Sequence, residues 1–221
     1  MNILSFDVGI QNLSYCKLNE DRKIIDWGII NLNDGQEKCD VKLRKQCSKI
    51  ATYKVLNEEN IQYCCTAHKK RFQKVKKIRR DNDLLRIATS CIQKLKGLDT
   101  SDVGSIFIEN QPALKNPIMK SIQMMIYTYF IMNGIIEENS SIKRIKLINA
   151  RNKLKVYHGE PIECHKKDKY AKNKYLAIEY TKKMILNEEK EFIELFNQSK
   201  KKDDLADAYL QGIYCIEKEY I

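Results

Sequence analysis

The sequence has no long apolar run. None of its 221 residues lies in a stretch approaching the roughly 18 consecutive apolar residues of a membrane-spanning helix. With 3 Pro and 8 Gly, it shows no linker, collagen-like or low-complexity segment. No basic segment precedes the first apolar stretch, which Asp7 interrupts, so no secretory signal is predicted. We therefore expect an intracellular protein with no membrane segment.

Cysteine and charge are the abundant features. In a reducing compartment the 8 cysteines are expected to be thiols or metal ligands rather than disulfides. The 40 basic residues outnumber the 29 acidic ones, and the net charge of +11 suits a polyanionic partner. The excess lies in residues 38–80 (net +11) and 143–174 (net +8). This clustering favours phosphate contacts, although a lysine-rich composition with solvated helix faces is the competing interpretation.

Apolar periodicity predicts a mixed α/β layer fold. The predicted strands are 2–9, 12–18, 23–32, 103–109 and 144–149, and the predicted helices are 84–95, 118–136, 170–186 and 203–219. Short polar turns between the first three strands predict an antiparallel meander. Residues 33–80 are basic, contain Cys and lack long apolar periodicity. We therefore expect one domain over 1–221, with an insert at 33–80 between the third strand and the first helix.

Carboxylates stand where burial makes a charge costly. Asp7 and Glu109 each follow a short apolar strand, and a tight turn follows Asp7. Asp204 and Asp207 are three residues apart in DDLADAYL, so both project from one helix face. Such carboxylates repel each other unless a cation lies between them, and hard divalent cations prefer carboxylate oxygens. The alternative for the helical pair is a favourable interaction of its charges with the helix dipole. If the helix begins one residue later, Asp203 would replace Asp204 as the metal ligand.

Five segments carry a resemblance to a known family. They are FDVGIQN, IENQP, NPIMKSIQMMIYTYF, NARNKLKVY and KKDDLADAYL. Together they resemble the RuvC-like Holliday junction resolvases of the RNase H superfamily, above all the branch found in poxviruses, other large DNA viruses and fungal mitochondria. The resemblance extends over nearly the whole chain.

This resemblance implies an RNase H-like fold with a mixed five-stranded sheet. It also implies a homodimeric endonuclease that resolves four-way DNA junctions by paired symmetric nicks, in recombination, repair and replication in a viral factory or a nucleus. The implied ligands of two Mg²⁺ or Mn²⁺ ions are Asp7, Glu109, Asp204 and Asp207. The residues implied to position DNA are Gln111, Lys153, Lys155, Lys172 and Lys174, each of which could instead be an exposed solubilising residue.

Two other functions stay open. One is a broader nuclease for branched DNA or RNA–DNA hybrids, because the carboxylates alone do not select among these substrates. The other is a basic DNA-binding protein that has kept the fold without the chemistry. Retention of four buried carboxylates, which cost stability when unused, argues against an inactive protein.

The insert holds a second pattern of metal-binding residues. Cys65 and His68 form a C-x-x-H pair, and Cys47 precedes them. A structural Zn²⁺ site needs four ligands, and the fourth is open between Cys39 and Cys64. Free buried thiols are the alternative to a zinc site. With a net charge of +11 over 38–80, the insert is expected to lie along DNA and grip a junction arm.

Overall fold

The computed structural model of the protein describes residues 1–32, 37–56, 60–78, 84–114 and 116–219. The chain divides into two compact units, the first formed by Met1–Leu32 and Leu85–Ile221 and the second by Asn33–Leu84. Both ends of the predicted insert (33–36 and 79–80) and its residues 57–59 lie outside the described residues.

The described elements follow in chain order. The strands are β1 (Asn2–Val8), β2 (Asn12–Leu18), β3 (Ile24–Asn31), β4 (Tyr53–Leu56), β5 (Ile61–Cys64), β6 (Val75–Lys77), β7 (Val103–Glu109) and β8 (Arg144–Ile148). The helices are α1 (Leu84–Leu95), α2 (Pro117–Phe130), α3 (Lys169–Met184), α4 (Lys190–Gln198) and α5 (Lys202–Glu219). A π-helical turn at Ile131–Ile135 continues α2, and short 3-10 helices lie at Thr66–Arg71 and Ala150–Val156.

The first unit is built on a five-stranded mixed sheet in the order β3-β2-β1-β7-β8. Strands β1, β2 and β3 pair antiparallel because short turns join them. Strands β7 and β8 are reached through helices, and β7 pairs parallel to β1 while β8 pairs parallel to β7. The predicted mixed sheet and the antiparallel meander are confirmed.

Helices cover both faces of this sheet. Side chains alternate between the two faces along each strand, so Phe107 joins one apolar cluster while Ile106 and Ile108 join the other. The first cluster includes Trp27 and apolar residues of α3, α4 and α5. The second includes Phe6 and residues of α1 and α2. Strand β7 is buried along its apolar run, which explains its lack of polar alternation.

The second unit has a small antiparallel sheet in the order β5-β4-β6. The sequence pattern did not predict these strands. Its core is small and rich in sulfur, with Cys39, Val55, Cys64 and Cys65 buried together. A core of this size stabilises little by itself, because apolar burial scales with the area removed from water.

Candidate active site

The edge of the sheet where β1 and β7 end brings two predicted carboxylates together. Phe6 pairs with Ile108 in the parallel β1–β7 ladder, so Asp7 and Glu109 follow as neighbours. Helix α5 packs against β1 and β2 on the face of the sheet to which the Asp7 side chain points. Asp207 of this helix reaches the same place, because one ammonium group lies within 3.4 Å of carboxylate oxygens of Asp7, Glu109 and Asp207.

That ammonium belongs to Lys153 in the short helix Ala150–Val156. Its Nζ lies 2.6 Å from Asp7 Oδ1, 3.4 Å from Glu109 Oε1 and 3.4 Å from Asp207 Oδ2. The residue is 4% exposed, which contradicts the alternative of a solubilising surface lysine. A buried cation among three acids indicates a site that requires positive charge.

The surroundings shift the pKa values of the acids in different directions. Burial raises the pKa of Glu109 to about 9, opposed by the Lys153 ammonium and reinforced by Asp7. Burial also raises the pKa of Asp207 to about 6, again opposed by Lys153. The pKa of Asp7 is lowered despite burial, because Lys153 and hydrogen bonds stabilise its charged form. Lys153 alone therefore leaves the cluster short of positive charge.

Two polar side chains of β2 hold the start of α5 in place. Asn12 Nδ2 donates to Asp204 Oδ2 at 3.2 Å, and Ser14 Oγ donates to the Asp204 carbonyl at 2.7 Å. Burial raises the pKa of Asp204, and neighbouring Asp203 adds to the shift. In contrast, Asp203 Oδ2 pairs with Lys174 Nζ at 2.5 Å. Of the two candidate metal ligands, Asp204 is hydrogen-bonded to the sheet, whereas Asp203 forms an ion pair with α3.

Gln111 lies behind Glu109 and is buried. Its Nε2 donates to Glu109 Oε2 at 2.8 Å, and its backbone N–H donates to Gln123 Oε1 at 2.7 Å. Gln123 is fully buried in α2, where Lys120 also donates to its Oε1. The contacts fix the orientation of Glu109 through two successive side chains.

Sequence reasoning missed Asn12, Ser14 and Gln123 as parts of this site. On β2, Asn12 and Ser14 resemble the polar half of an ordinary alternating strand. Gln123 was the detectable signal, because a polar residue within the Met-rich apolar segment of α2 requires a buried partner.

The other predicted DNA-contacting lysines lie nearer the solvent. Lys155 is exposed and donates to Asn152 Oδ1 at 2.8 Å, and Lys172 is exposed on α3. Lys174 is partly exposed and pairs with Asp203. These three side chains stay candidates for phosphate contact, whereas Lys153 points into the carboxylate cluster.

The second unit brings Cys39, Cys47, Cys65 and His68 together. One ligand atom from each lies within 4.8 Å of the others. His68 Nδ1 is 3.3 Å from Cys39 Sγ and 3.6 Å from Cys65 Sγ, near the ~3.6 Å separation that a nitrogen at ~2.05 Å and a sulfur at ~2.3 Å from a tetrahedral Zn²⁺ would have. Three thiols and an imidazole could bind a metal ion. Cys64, the other candidate for the fourth ligand, lies outside this group.

Comparisons with known proteins identify the fold. No family model matches the chain. It is 32% identical over 240 residues to the uncharacterized protein L451 of Acanthamoeba polyphaga mimivirus, an alignment that includes 92% of this chain. The chain spans 56% of the length of that mimivirus protein.

Two solved structures are similar across nearly the whole chain. The yeast mitochondrial Holliday junction resolvase Ydc2 aligns with a TM-score of 0.54 at 19% identity, covering 97% of this chain and 78% of that one. The fowlpox virus Holliday junction resolvase aligns with a TM-score of 0.53 at 15% identity, covering 99% of both chains. The predicted RNase H-like fold is therefore confirmed. Within the described residues, no helix is long and apolar enough to span a membrane.

Proposed function

We propose that this chain, which has the fold of Holliday junction resolvases, is a metal-dependent endonuclease that resolves four-way DNA junctions by paired symmetric nicks. The observation that carries the proposal is the convergence of carboxylates from β1, β7 and α5 around one buried cation. The yeast and fowlpox proteins with this fold are named as Holliday junction resolvases. Likeness of fold alone does not transfer activity, so the carboxylate site is the stronger support.

The donor set fits two hard divalent cations. Asp7, Glu109, Asp204 and Asp207 offer carboxylate oxygens, the ligands that Mg²⁺ and Mn²⁺ prefer. The raised pKa values of Glu109 and Asp207 also support this fit, because they reflect too little positive charge near buried acids. When bound, two such ions supply the Lewis acidity for phosphodiester hydrolysis, activating water and stabilising the leaving oxygen.

The chain's own residues orient the site. Gln111 holds one oxygen of Glu109, and Asn12 and Ser14 hold Asp204 at the start of α5. Fixed carboxylates reduce the reorganisation needed when the reaction begins. Lys155, Lys172 and Lys174 bind backbone phosphates, which sets the register of the DNA without reading its sequence.

The assembly we propose is a homodimer. Two symmetric nicks in a four-way junction require two active sites related by a two-fold axis. The likeness to the mimivirus protein supports a viral role, with the enzyme acting where the DNA of a large virus is replicated and recombined.

The metal ion we propose for the second unit is Zn²⁺, bound by Cys39, Cys47, Cys65 and His68. Thiolate and imidazole ligands in a closed set of four are typical of structural zinc. Hydrogen bonds from the backbone N–H groups of His68 and Ala67 help to lower the pKa of Cys65, against the effect of burial. Zinc would stabilise a unit whose apolar core is small.

The test of the nuclease uses the substitutions Asp7→Asn and Glu109→Gln, made separately. Each removes a charged ligand while keeping size and hydrogen bonding. We expect cleavage of a four-way junction to fall by more than about 100-fold, since metal-ion catalysis is worth several kcal/mol. Junction binding should be retained. The matched control is Glu194→Gln, which changes an exposed acid of α4 outside the carboxylate cluster. This variant should cut normally.

Substrate choice is measured with the same proteins on a panel of four-way junctions, flaps and RNA–DNA hybrids. Preferential cutting of the junction supports a resolvase. Equal rates on all substrates would replace it by a broader nuclease. Unchanged cleavage by the Asp7 and Glu109 variants would overturn the assignment of the site, and binding without cleavage by the unmodified protein would indicate an inactive DNA-binding protein.

A further inference from the structure

The position of Lys153 has a consequence beyond its assignment as a DNA-contacting residue. Its ammonium lies inside the cluster, within 3.4 Å of oxygens from Asp7, Glu109 and Asp207. Those acids come from β1, β7 and α5, so Lys153 bridges the elements that form the proposed metal site. Its 4% exposure leaves the ammonium almost no contact with solvent, so it is not available to an incoming phosphate.

The ammonium and divalent ions compete for the same carboxylates. Mg²⁺ requires oxygens at about 2.0–2.1 Å in near-ideal octahedral geometry. An ammonium 2.6 Å from Asp7 Oδ1 occupies the space on the side of this oxygen that faces Glu109 and Asp207. Positive charges so close also repel each other strongly where burial leaves only part of the screening that water provides. Simultaneous occupation by Lys153 and two ions is therefore unfavourable.

Lys153 also has the means to leave. It lies on the short helix Ala150–Val156 rather than on the sheet, and lysine carries its charge on a flexible four-carbon stem. Lys155, an exposed lysine of the same helix, donates a hydrogen bond to the nearby Asn152 side chain. Residues 143–174 carry a net charge of +8, so an ammonium that leaves the cluster would add to a segment suited to phosphate contacts.

We propose that Lys153 is an internal counter-ion that neutralises the carboxylate cluster of the metal-free protein and is displaced outward when divalent cations bind, which frees its ammonium for a DNA phosphate. The inference rests on the proposed metal-dependent function and deepens it, since it orders the events. Metal binding comes first and makes the phosphate contact available. Conversely, a DNA phosphate that draws Lys153 out favours metal binding, because coupling between two sites is reciprocal.

The direct test measures the exposure of Lys153 in the full-length wild-type chain. The protein is treated with an amine-acetylating reagent with and without Mn²⁺, bound Mn²⁺ is counted by electron paramagnetic resonance, and modified lysines are quantified by mass spectrometry. We expect Lys153 acetylation to rise by about fivefold or more with Mn²⁺, the lower end of typical couplings. Acetylation of Lys155, already exposed, should stay constant and serves as the internal control.

Variants separate charge from packing. Lys153→Met should bind Mn²⁺ more tightly by about fivefold or more, whereas Lys153→Arg keeps the positive charge and should not. Lys143→Met removes an exposed lysine upstream of β8 and should leave Mn²⁺ affinity unchanged. The acetylation experiment uses no variant, so a variant that fails to fold does not affect it.

The outcomes are distinguishable. Bound Mn²⁺ with Lys153 still protected would overturn the displacement and leave the metal-dependent nuclease standing. No bound Mn²⁺ at millimolar concentration would overturn both. Increased acetylation of Lys153 in step with Mn²⁺ occupancy supports the displacement, whatever the substrate preference of the enzyme proves to be.

Discussion

Glu109 makes the metal-free protein sensitive to pH. Its pKa is raised from 4.5 to about 9 by burial, so the folded state holds a proton that the unfolded chain releases. The resulting stabilisation is complete below pH 4.5 and is lost as the pH rises toward 9. Asp207, with its pKa raised to about 6, acts in the same direction over the lower part of this range.

We therefore predict that the metal-free protein loses roughly 2 kcal/mol or more of unfolding free energy between pH 5 and pH 9. Glu109→Gln cannot titrate and should lose clearly less. Trp27 provides the measurement, because it is the one tryptophan of the sequence and is 3% exposed in the core of the first unit. Its fluorescence therefore follows that unit, and equal pH dependence in both proteins would contradict the pKa assignment.

Asp203 and Asp204 are adjacent in sequence but differ in their partners. Asp203 pairs with Lys174 of α3, which helps to lower its pKa despite burial, whereas Asp204 accepts a hydrogen bond from Asn12. We predict that Asp204→Asn abolishes junction cleavage and that Asp203→Asn reduces it by less than about tenfold, the effect of a partly exposed ion pair. Single-turnover cleavage rates of the two variants test this. A larger loss in the Asp203 variant than in the Asp204 variant would make Asp203 the metal ligand.

The carboxylates could be predicted from the sequence because each interrupts or ends an apolar pattern. Asp7 and Glu109 close buried strands, and Asp207 stands between two alanines of a helix. The position of Lys153 could not be predicted. Its neighbours Arg151 and Lys155 are exposed, and nothing in a run of basic residues identifies the one that points inward.

Helix α5 is the element whose position decides whether the site forms. Gln211 Nε2 donates to Ser5 Oγ and to the Phe6 carbonyl, both at 3.0 Å, which ties the helix to β1 beside Asp7. Gly212 allows the close approach, since a Cβ there would lie 2.6 Å from Leu18 Cδ1. Beside Asp7, the helix thus reaches the sheet through a buried amide that makes two hydrogen bonds and a glycine that leaves room for Leu18.

We predict that Gln211→Met destabilises the first unit by about 1–3 kcal/mol, because the Phe6 carbonyl and the Ser5 hydroxyl lose a buried donor. Cleavage should fall more than junction affinity, since the carboxylates of α5 shift while the basic surface stays. Trp27 fluorescence and a comparison of cleavage rate with dissociation constant test this. An equal loss in both quantities would indicate general unfolding instead.

Elements with a clear apolar pattern were predictable, and elements with few buried residues were not. Strands 12–18 and 103–109 and helix 84–95 have the predicted bounds, because their apolar periodicity extends over at least seven residues. Helix α4 was missed because only Phe192 and Phe196 of its nine residues are buried. The three strands of the second unit have three or four residues each, too few for an alternation to be recognised.

The second unit should depend on the proposed zinc ion. We predict that Cys65→Ser or His68→Ala removes one Zn²⁺ per chain and makes residues 37–78 sensitive to protease, since structural zinc contributes directly to folding. Cys16→Ser is the control, because this buried thiol lies in the first unit, outside the Cys/His group. Metal analysis measures the zinc content, and mass spectrometry of the fragments locates the protease cleavage sites. Full zinc content in the Cys65 variant would exclude Cys65 as a ligand.

At the scale of the whole molecule, the distribution of charge suggests how DNA is held. Residues 38–80 carry a net charge of +11, equal to that of the entire chain. Every phosphate that a protein neutralises releases counter-ions, so affinity depends steeply on salt. The second unit is therefore expected to contribute affinity for DNA, while the proposed chemistry belongs to the first.

We predict that deleting residues 36–80 weakens binding to a four-way junction by at least about tenfold at low salt and makes its salt dependence shallower. The measurement uses Asp7→Asn in both the full and the shortened chain, so that no junction is cut during titration. Trp27 fluorescence verifies that the first unit stays folded. Undiminished affinity in the shortened chain would contradict a DNA-gripping role for the insert.

The acids of the candidate site come from distant parts of the chain: Asp204 follows its hydrogen-bond partner on β2, Asn12, by 192 positions. During translation, β1 and β7 leave the ribosome well before α5, so a partly synthesised chain has Asp7 and Glu109 but not the acids that complete the cluster. Such a chain lacks acids that the proposed cleavage of DNA requires. On the proposed function, the order of synthesis delays DNA cleavage until the helix that carries Asp204 and Asp207 has folded onto the sheet.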